Sequence, residues 1–153
     1  MSPERRHAAV RFLLQAVAAL ALGTVAALVV TVPRPGWTTN DITTGQSPGY
    51  PDLVPRRYDM SVANTTVFAA QALHRIPGGK VKKTDTANGK VEGEAWVTGT
   101  PFYDDVEITI LPEENHSLVN IRSHSRVGRG DLGVNAARIR ALQALMDDKL
   151  PRL

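Results

Sequence analysis

The chain has 153 residues, 42% hydrophobic and 22% charged, with no cysteine and a formal net charge of +3. That length allows one domain, or one domain plus an appendage, and excludes a multi-domain enzyme; the missing cysteines exclude a disulfide framework, thiolate zinc sites and a cysteine nucleophile. Residues 1–32 carry +2 of the charge and the rest of the chain only +1, so the basic balance flanks one apolar segment and no nucleic-acid partner is expected.

Phe12 to Val32 is 21 residues without a charge, its only polar side chains being Gln15, Thr24 and Thr31. A helix rising ~1.5 Å per residue over that length matches the ~30 Å hydrocarbon core of a bilayer. Residues 1–11 form a basic flank with Arg5, Arg6, His7 and Arg11. The positive-inside rule then places the N-terminus in the cytoplasm and the rest beyond the membrane. Val25-Ala26-Ala27 is a passable cleavage site. The apolar run nevertheless continues past it, beyond the ~7–15 residues of a signal-peptide core, which favours a retained signal anchor over residues 12–32. Residues 33–58 are dense in Pro, Gly and Thr and show no period, so they read as an extended lead-in. Trp37, Tyr50 and Tyr58 suggest that parts of this stretch pack at the bilayer interface or on the domain.

The folded unit is expected over 59–153. Val62, Ala69, Leu73 and Ile76 recur at helical spacing, with Asn64, Gln71 and Arg75 opposite. Asp59 or Ser61 can cap this helix, and Pro77-Gly78-Gly79 ends it. A strand over 80–86 meets Asn88-Gly89, a strong hairpin signal, and returns over 90–98. The return strand carries Val91, Gly93, Ala95 and Val97 on one face and Glu92, Glu94 and Trp96 on the other. A third strand over 105–111 points Val106, Ile108 and Ile110 inward. Residues 112–117 turn the chain into a fourth strand over 118–126, with Val119, Ile121, Ser123 and Ser125 on one face and Asn120, Arg122, His124 and Arg126 on the other. A glycine-rich loop, 127–134, leads to a last helix over 135–149 with the stripe Ile139, Leu142, Leu145 and Met146. The predicted class is α+β: an N-terminal transmembrane helix, then a four-stranded antiparallel sheet with two helices on one face.

Several segments stand in a telling order: Asn40-Asp41-Ile42-Thr43-Thr44, Tyr50-Pro51-Asp52-Leu53, Phe102-Tyr103-Asp104-Asp105-Val106, and the run from Arg122 to Asn135 followed by Arg138-Ile139. Together they resemble an uncharacterised bacterial family, domain of unknown function 1499, over roughly residues 40–146. The chain departs from that pattern at Gly79, where the family tends to have Trp, and at Gly130, where it tends to have Ser. The resemblance implies an exported or membrane-anchored domain and carries over no reaction, catalytic residue or cofactor.

Between Arg122 and Arg140 stand five arginines and one aspartate. The loop glycines, among them Gly128, together with Arg122, Arg126, Arg129 and the following helix N-terminus, could cradle an anion, although the phosphate-loop lysine and spacing are missing. The alternative is a sharp turn in which Asp131 or Asn135 caps the helix. Arg138 and Arg140 near the start of that helix and Asp147 and Asp148 at its end oppose the helix dipole by ~0.3–1 kcal/mol each when exposed. A partner for Arg138 is therefore expected among Asp104, Asp105 and Asp131, giving a partly buried Arg–Asp network. Strand pairing across a six-residue turn sets Glu107 opposite Arg122 and Asp105 opposite His124, a charge ladder. A Ser-His-Asp set built on Ser123 or Ser125 is disfavoured, because Ser123 and His124 point to opposite faces. No metal-ligand spacing is present and no cofactor is expected. The expected role is a membrane-anchored envelope module for binding or assembly. The alternatives are an accessory subunit of a membrane complex and a periplasmic enzyme or small anionic ligand or lipid carrier.

Overall fold

The computed structural model describes residues 38–153. The expected transmembrane segment and its basic flank lie outside them. Among the described residues no helix is long and apolar enough to cross a membrane. The elements in chain order are β1 (Asp41–Thr43), β2 (Arg56–Tyr58), α1 (Val62–Arg75), β3 (Gly79–Asp85), β4 (Lys90–Trp96), β5 (Tyr103–Glu113), β6 (His116–Ser125) and α2 (Val134–Asp147).

The sheet is antiparallel and has six strands, not the four expected. β3, β4, β5 and β6 form the predicted meander, and the two further strands come from the stretch read as a lead-in. β1 and β2 lie end to end along the outer edge of β6, Ile42 pairing with Ser123 and Arg57 with Leu118. Each is three residues long, too short to display a period, and the free edge of β6 is what orders them. Between them Gly45 donates its N–H to the Leu53 carbonyl at 2.7 Å, closing the intervening loop. The C-terminus covers the far side of β2 through a Tyr58–Arg152 bridge and a hydrogen bond from Leu153 N–H to the Arg57 carbonyl. Asp147 gathers the polar ends here: the Tyr58 hydroxyl donates to it at 2.7 Å, and Arg56 and Arg152 stand at 3.6 and 3.4 Å. Burial is the main reason that the Tyr58 phenol titrates well above its usual range.

The alternation read from the sequence sets the faces. Val106, Ile108, Ile110, Val119 and Ile121 are buried beneath the two helices, together with Ile42, Val91 and Ala95. α1 packs on β3 to β6, and α2 on β6, β1 and α1. Of the two capping candidates for α1, Ser61 occupies the position, its hydroxyl accepting from Asn64 N–H at 3.4 Å. The β5–β6 turn is tighter than expected. Both strands run on until only Glu114 and Asn115 remain, and Glu114 takes a left-handed φ of 53°. The register is the predicted one: Glu107 faces Arg122 and Asp105 faces His124.

Candidate functional site

Asp104, at the start of β5, lies on the helix-covered face opposite Ser125 of β6 and Ala95 of β4. One pair further along β6, Ser123 stands on the same face and is fully buried. α2 lays Asn135 and Arg138 against them, three residues apart and so on one side of the helix. Arg138 Nη2 stands 2.9 Å from Asp104 Oδ2, with side chains only 7% and 3% exposed. Its Nη1 donates to Ser123 Oγ at 2.9 Å and to Asn135 Oδ1 at 2.7 Å. Ser123 Oγ donates in turn to Asn135 Oδ1 at 2.6 Å. Asn135 Nδ2 donates to Ser125 Oγ at 2.9 Å and to the Asn40 carbonyl at 3.1 Å.

The glycine loop hangs from this network. Asn40 Nδ2 donates to the Gly128 carbonyl at 2.6 Å, and Asp131 accepts from Gly133 N–H at 2.9 Å and Asn135 N–H at 2.7 Å. Gly133 occupies the α2 cap position in the left-handed region, with φ 87°. A glycine has no side chain to cap with, so the Asp131 carboxylate supplies the cap from two residues back. Two of the donors that made this loop a candidate anion cradle, the N–H groups of Gly133 and Asn135, are therefore filled by the protein's own carboxylate. An outside anion would have to displace Asp131 or sit against its charge. Arg138 is the fifth residue of α2, one residue deeper than expected, because α2 starts at Val134. The Asp104 carboxylate, more than the dipole, determines its environment.

Of the remaining candidates, Asp105, Arg122 and Arg126 are on the other face of the sheet. Arg122 binds Asp41 through Nε at 3.0 Å and Nη2 at 2.7 Å, and reaches Glu107 at 3.3 Å. Arg126 forks onto Asp105 and donates to Glu94 at 3.0 Å, while Lys82 meets the same Glu94. His124 Nε2 stands 3.6 Å from Asp105. The result is a charge lattice across β1, β6, β5 and β4, with Asp105 and Arg126 turned away from Asp104. Arg129 sits exposed in the loop. Arg140 finds Asp52 at 2.7 and 3.0 Å and lies 5.6 Å from the centre of the Tyr50 ring.

Guanidinium hydrogen bonds hold Asp41 and Asp105 below their usual pKa, Arg122 acting on the first and Arg126 on the second. Glu94 is lowered too, chiefly by its hydrogen bond from the Lys82 ammonium and further by Arg126, while burial opposes both. Each carboxylate with a depressed folded-state pKa adds stability above its unfolded pKa, near about 4, and loses it as pH falls through the lower folded value. The domain is expected to hold its stability down to about pH 4 and to lose it below. Asp105→Asn and Asp41→Asn should blunt that acid limb, which urea unfolding at stepped pH measures. Added salt should blunt it as well, because these pairs are partly exposed.

Two concavities flank the Asp104–Arg138 pair and share Val97 and Val134 as walls. One, about 330 Å³, is lined by Trp96, Pro77, Ala137 and Arg138. The other, about 150 Å³, is lined by Phe102, Val127, Asp104 and Asp131. Their rims are unusually apolar for a surface: Trp96 is 41% exposed, Phe102 46% and Val127 58%. Arg126 and Arg129 line neither concavity. Among the described residues no group of three or more His, Cys, Asp or Glu side chains could hold a metal ion.

Sequence reasoning missed Asn40, whose side chain and carbonyl tie β1 to the loop and to α2, and Asp41, which partners Arg122. Their only signal was the ordered run of motifs; composition marks Asn40 as one more turn residue.

Fold and site together define an α+β domain with a buried Arg–Asp–Asn–Ser network bracing a surface loop. The chain belongs to the family described as Protein of unknown function (DUF1499), whose profile matches residues 24–146. No protein of curated description matches the sequence. Among solved structures, the crystal structure of CalU16 from Micromonospora echinospora is similar at 14% identity. That similarity covers 60% of this chain and 73% of that one, with a TM-score of 0.42.

Proposed function

We propose that this protein is a membrane-anchored envelope module for binding or assembly. In this reading residues 12–32 span the bacterial inner membrane once, the N-terminus is cytoplasmic, and the sheet domain lies on the periplasmic side. The observation that carries the binding role is the apolar rim of Trp96, Phe102, Val127 and Val134, set beside a buried ion pair. Contiguous exposed apolar side chains cost solubility and are characteristic of contact surfaces. The network beneath them ties Arg138, Ser123, Ser125 and Asn135 together by hydrogen bonds and Arg138 to Asp104 by an ion pair, and so suits a brace that fixes the rim's shape. A membrane protein complex is the natural class of partner, with this chain as an accessory subunit.

A photo-crosslinking side chain at Phe102 or Val127, in the full chain in its native membrane, tests this. A discrete adduct with a second protein is expected, and none from the same group at Asn115, at the opposite end of the sheet. Equal labelling from all three positions would defeat the reading.

The 330 Å³ concavity also supports a carrier of a small apolar ligand, being at the lower end of the ~300–1,000 Å³ usual for such sites. Native mass spectrometry of the membrane-extracted protein separates the two. A retained small molecule, lost in Ala137→Trp, marks the carrier.

A further inference from the structure

β3 is paired on one side only, with β4, so its outer edge presents backbone N–H and C=O groups that meet no other strand of the sheet. Beside that edge, on the helix-covered face, runs an apolar groove of about 550 Å³ between α1 and β3. Val67, Ala70 and Val81 supply its floor, and His74 and Arg75 of α1 stand at its end. Val67 is 43% exposed, an apolar residue on the solvent side of α1 beside the exposed Asn64, Gln71 and His74. On the opposite face of the same edge strand stand Lys80 and Lys83, in register with Glu94 and Glu92. Both lysines are exposed, and neither has an ion pair within 4 Å among the described residues. Lys82, at the bulge, binds Glu94, which also serves Arg126. The one carboxylate on β3, Asp85, is held by Asn88 at 2.8 and 3.0 Å.

From this edge, groove and charge we infer a docking site for an extended acidic peptide segment of a partner protein, added to the sheet as a strand antiparallel or parallel to β3. Residues in an added strand alternate between two faces. Apolar side chains on one alternation fill the groove over Val67 and Val81. Acidic side chains on the other face Lys80 and Lys83. A second copy of this chain fits poorly, because β3 against β3 would align lysine with lysine, and edge lysines oppose such self-pairing. The chain's own first eleven residues are basic and repelled by the same charges. A flat anionic bilayer would meet the lysines but leave the groove and the backbone edge unfilled. This site is separate from the rim around Asp104 and stands or falls independently of it.

The test uses the full chain in nonionic detergent with three capped seven-residue probes: glutamate alternating with valine, lysine alternating with valine, and a scrambled acidic sequence. Binding is read by fluorescence anisotropy, and amide hydrogen exchange locates the contact. The alternating acidic probe is expected to bind at least tenfold tighter than the other two and to slow exchange within β3. Lys80→Glu with Lys83→Glu, two surface changes, should weaken it at least tenfold, and Val67→Asp should do so through the groove. Equal binding of the lysine probe overturns the proposal, as does unchanged affinity in the Lys80/Lys83 variant. Protection confined to other elements does the same. Dimerisation abolished by Val67→Asp, or anionic-vesicle binding abolished by Lys80→Glu with Lys83→Glu, each without peptide binding, would reassign the surface to a second copy or to the membrane.

Discussion

Arg138→Met is expected to destabilise the domain by about 3–5 kcal/mol, the usual consequence of removing one member of a buried ion pair. Against a total of about 5–15 kcal/mol for a domain, that loss threatens folding at ordinary temperature. The penalty arises from what is left behind. Asp104 is 2% exposed and would be a buried carboxylate without its counter-charge, while Ser123 and Asn135 would each lose a bond to the same guanidinium. Pairing Arg138→Met with Asp104→Leu should recover most of the loss, since a buried pair replaced whole by apolar groups is often neutral or better. Arg138→Lys should fall between, because one ammonium cannot reproduce a fork that meets Asp104 with one nitrogen and Ser123 and Asn135 with the other. Urea unfolding of the wild type, Arg138→Met, Asp104→Leu and the double variant measures the coupling as a double-mutant cycle, with Arg138→Lys alongside. A single-variant loss below about 1 kcal/mol, or a double variant worse than either single, would show that the pair does not brace the loop.

Gly93→Val should cost about 3 kcal/mol or more, the upper end of overpacking effects. A Cβ at this position would lie 2.4 Å from the Lys80 carbonyl oxygen and 2.7 Å from Leu73 Cδ2. Gly93 faces Val81 at the point where α1 crosses β4 and β3, so the bare glycine is what lets the helix settle this close. The leucine can move aside, but the Lys80 carbonyl belongs to the β3–β4 pairing. For that reason Leu73→Ala, itself expected to cost about 2–5 kcal/mol as a buried truncation, should not rescue Gly93→Val. Thermal unfolding of the three variants decides it. Recovery in the double variant would place the whole clash on the side chain.

How legible this was from the residues alone differs between parts. Strict alternation over 90–98, 105–111 and 118–126 identified the meander and its faces, because a slip of one residue would turn Val106, Ile108 and Ile110 out to solvent. The same alternation predicted the Glu107–Arg122 and Asp105–His124 pairings that the register shows. β1 and β2 could not be read: three residues among prolines and glycines hold no period, and Ile42 and Tyr58 are buried only because β6 offers them an edge. At the site, an arginine placed against the helix dipole signalled a hidden carboxylate partner, and Asp104 is that partner. Arg140, in the same situation, is matched by Asp52 from the stretch taken as a lead-in. The role of Asn40 had no local signature, since it depends on meeting Gly128, 88 positions away.

That long reach bears on the order in which the molecule can be assembled. The hairpins of the meander join neighbours in sequence, whereas Asp41 meets Arg122 across 81 positions. Closing so long a loop yields no contact energy until β6 exists, and distant pairings slow folding. During synthesis the N-terminal strands emerge first and are the last to find their place. Until then β6 has a bare edge and Ile42 no shelter, so the nascent domain passes through an interval in which its own unfinished border is the surface most open to misassociation.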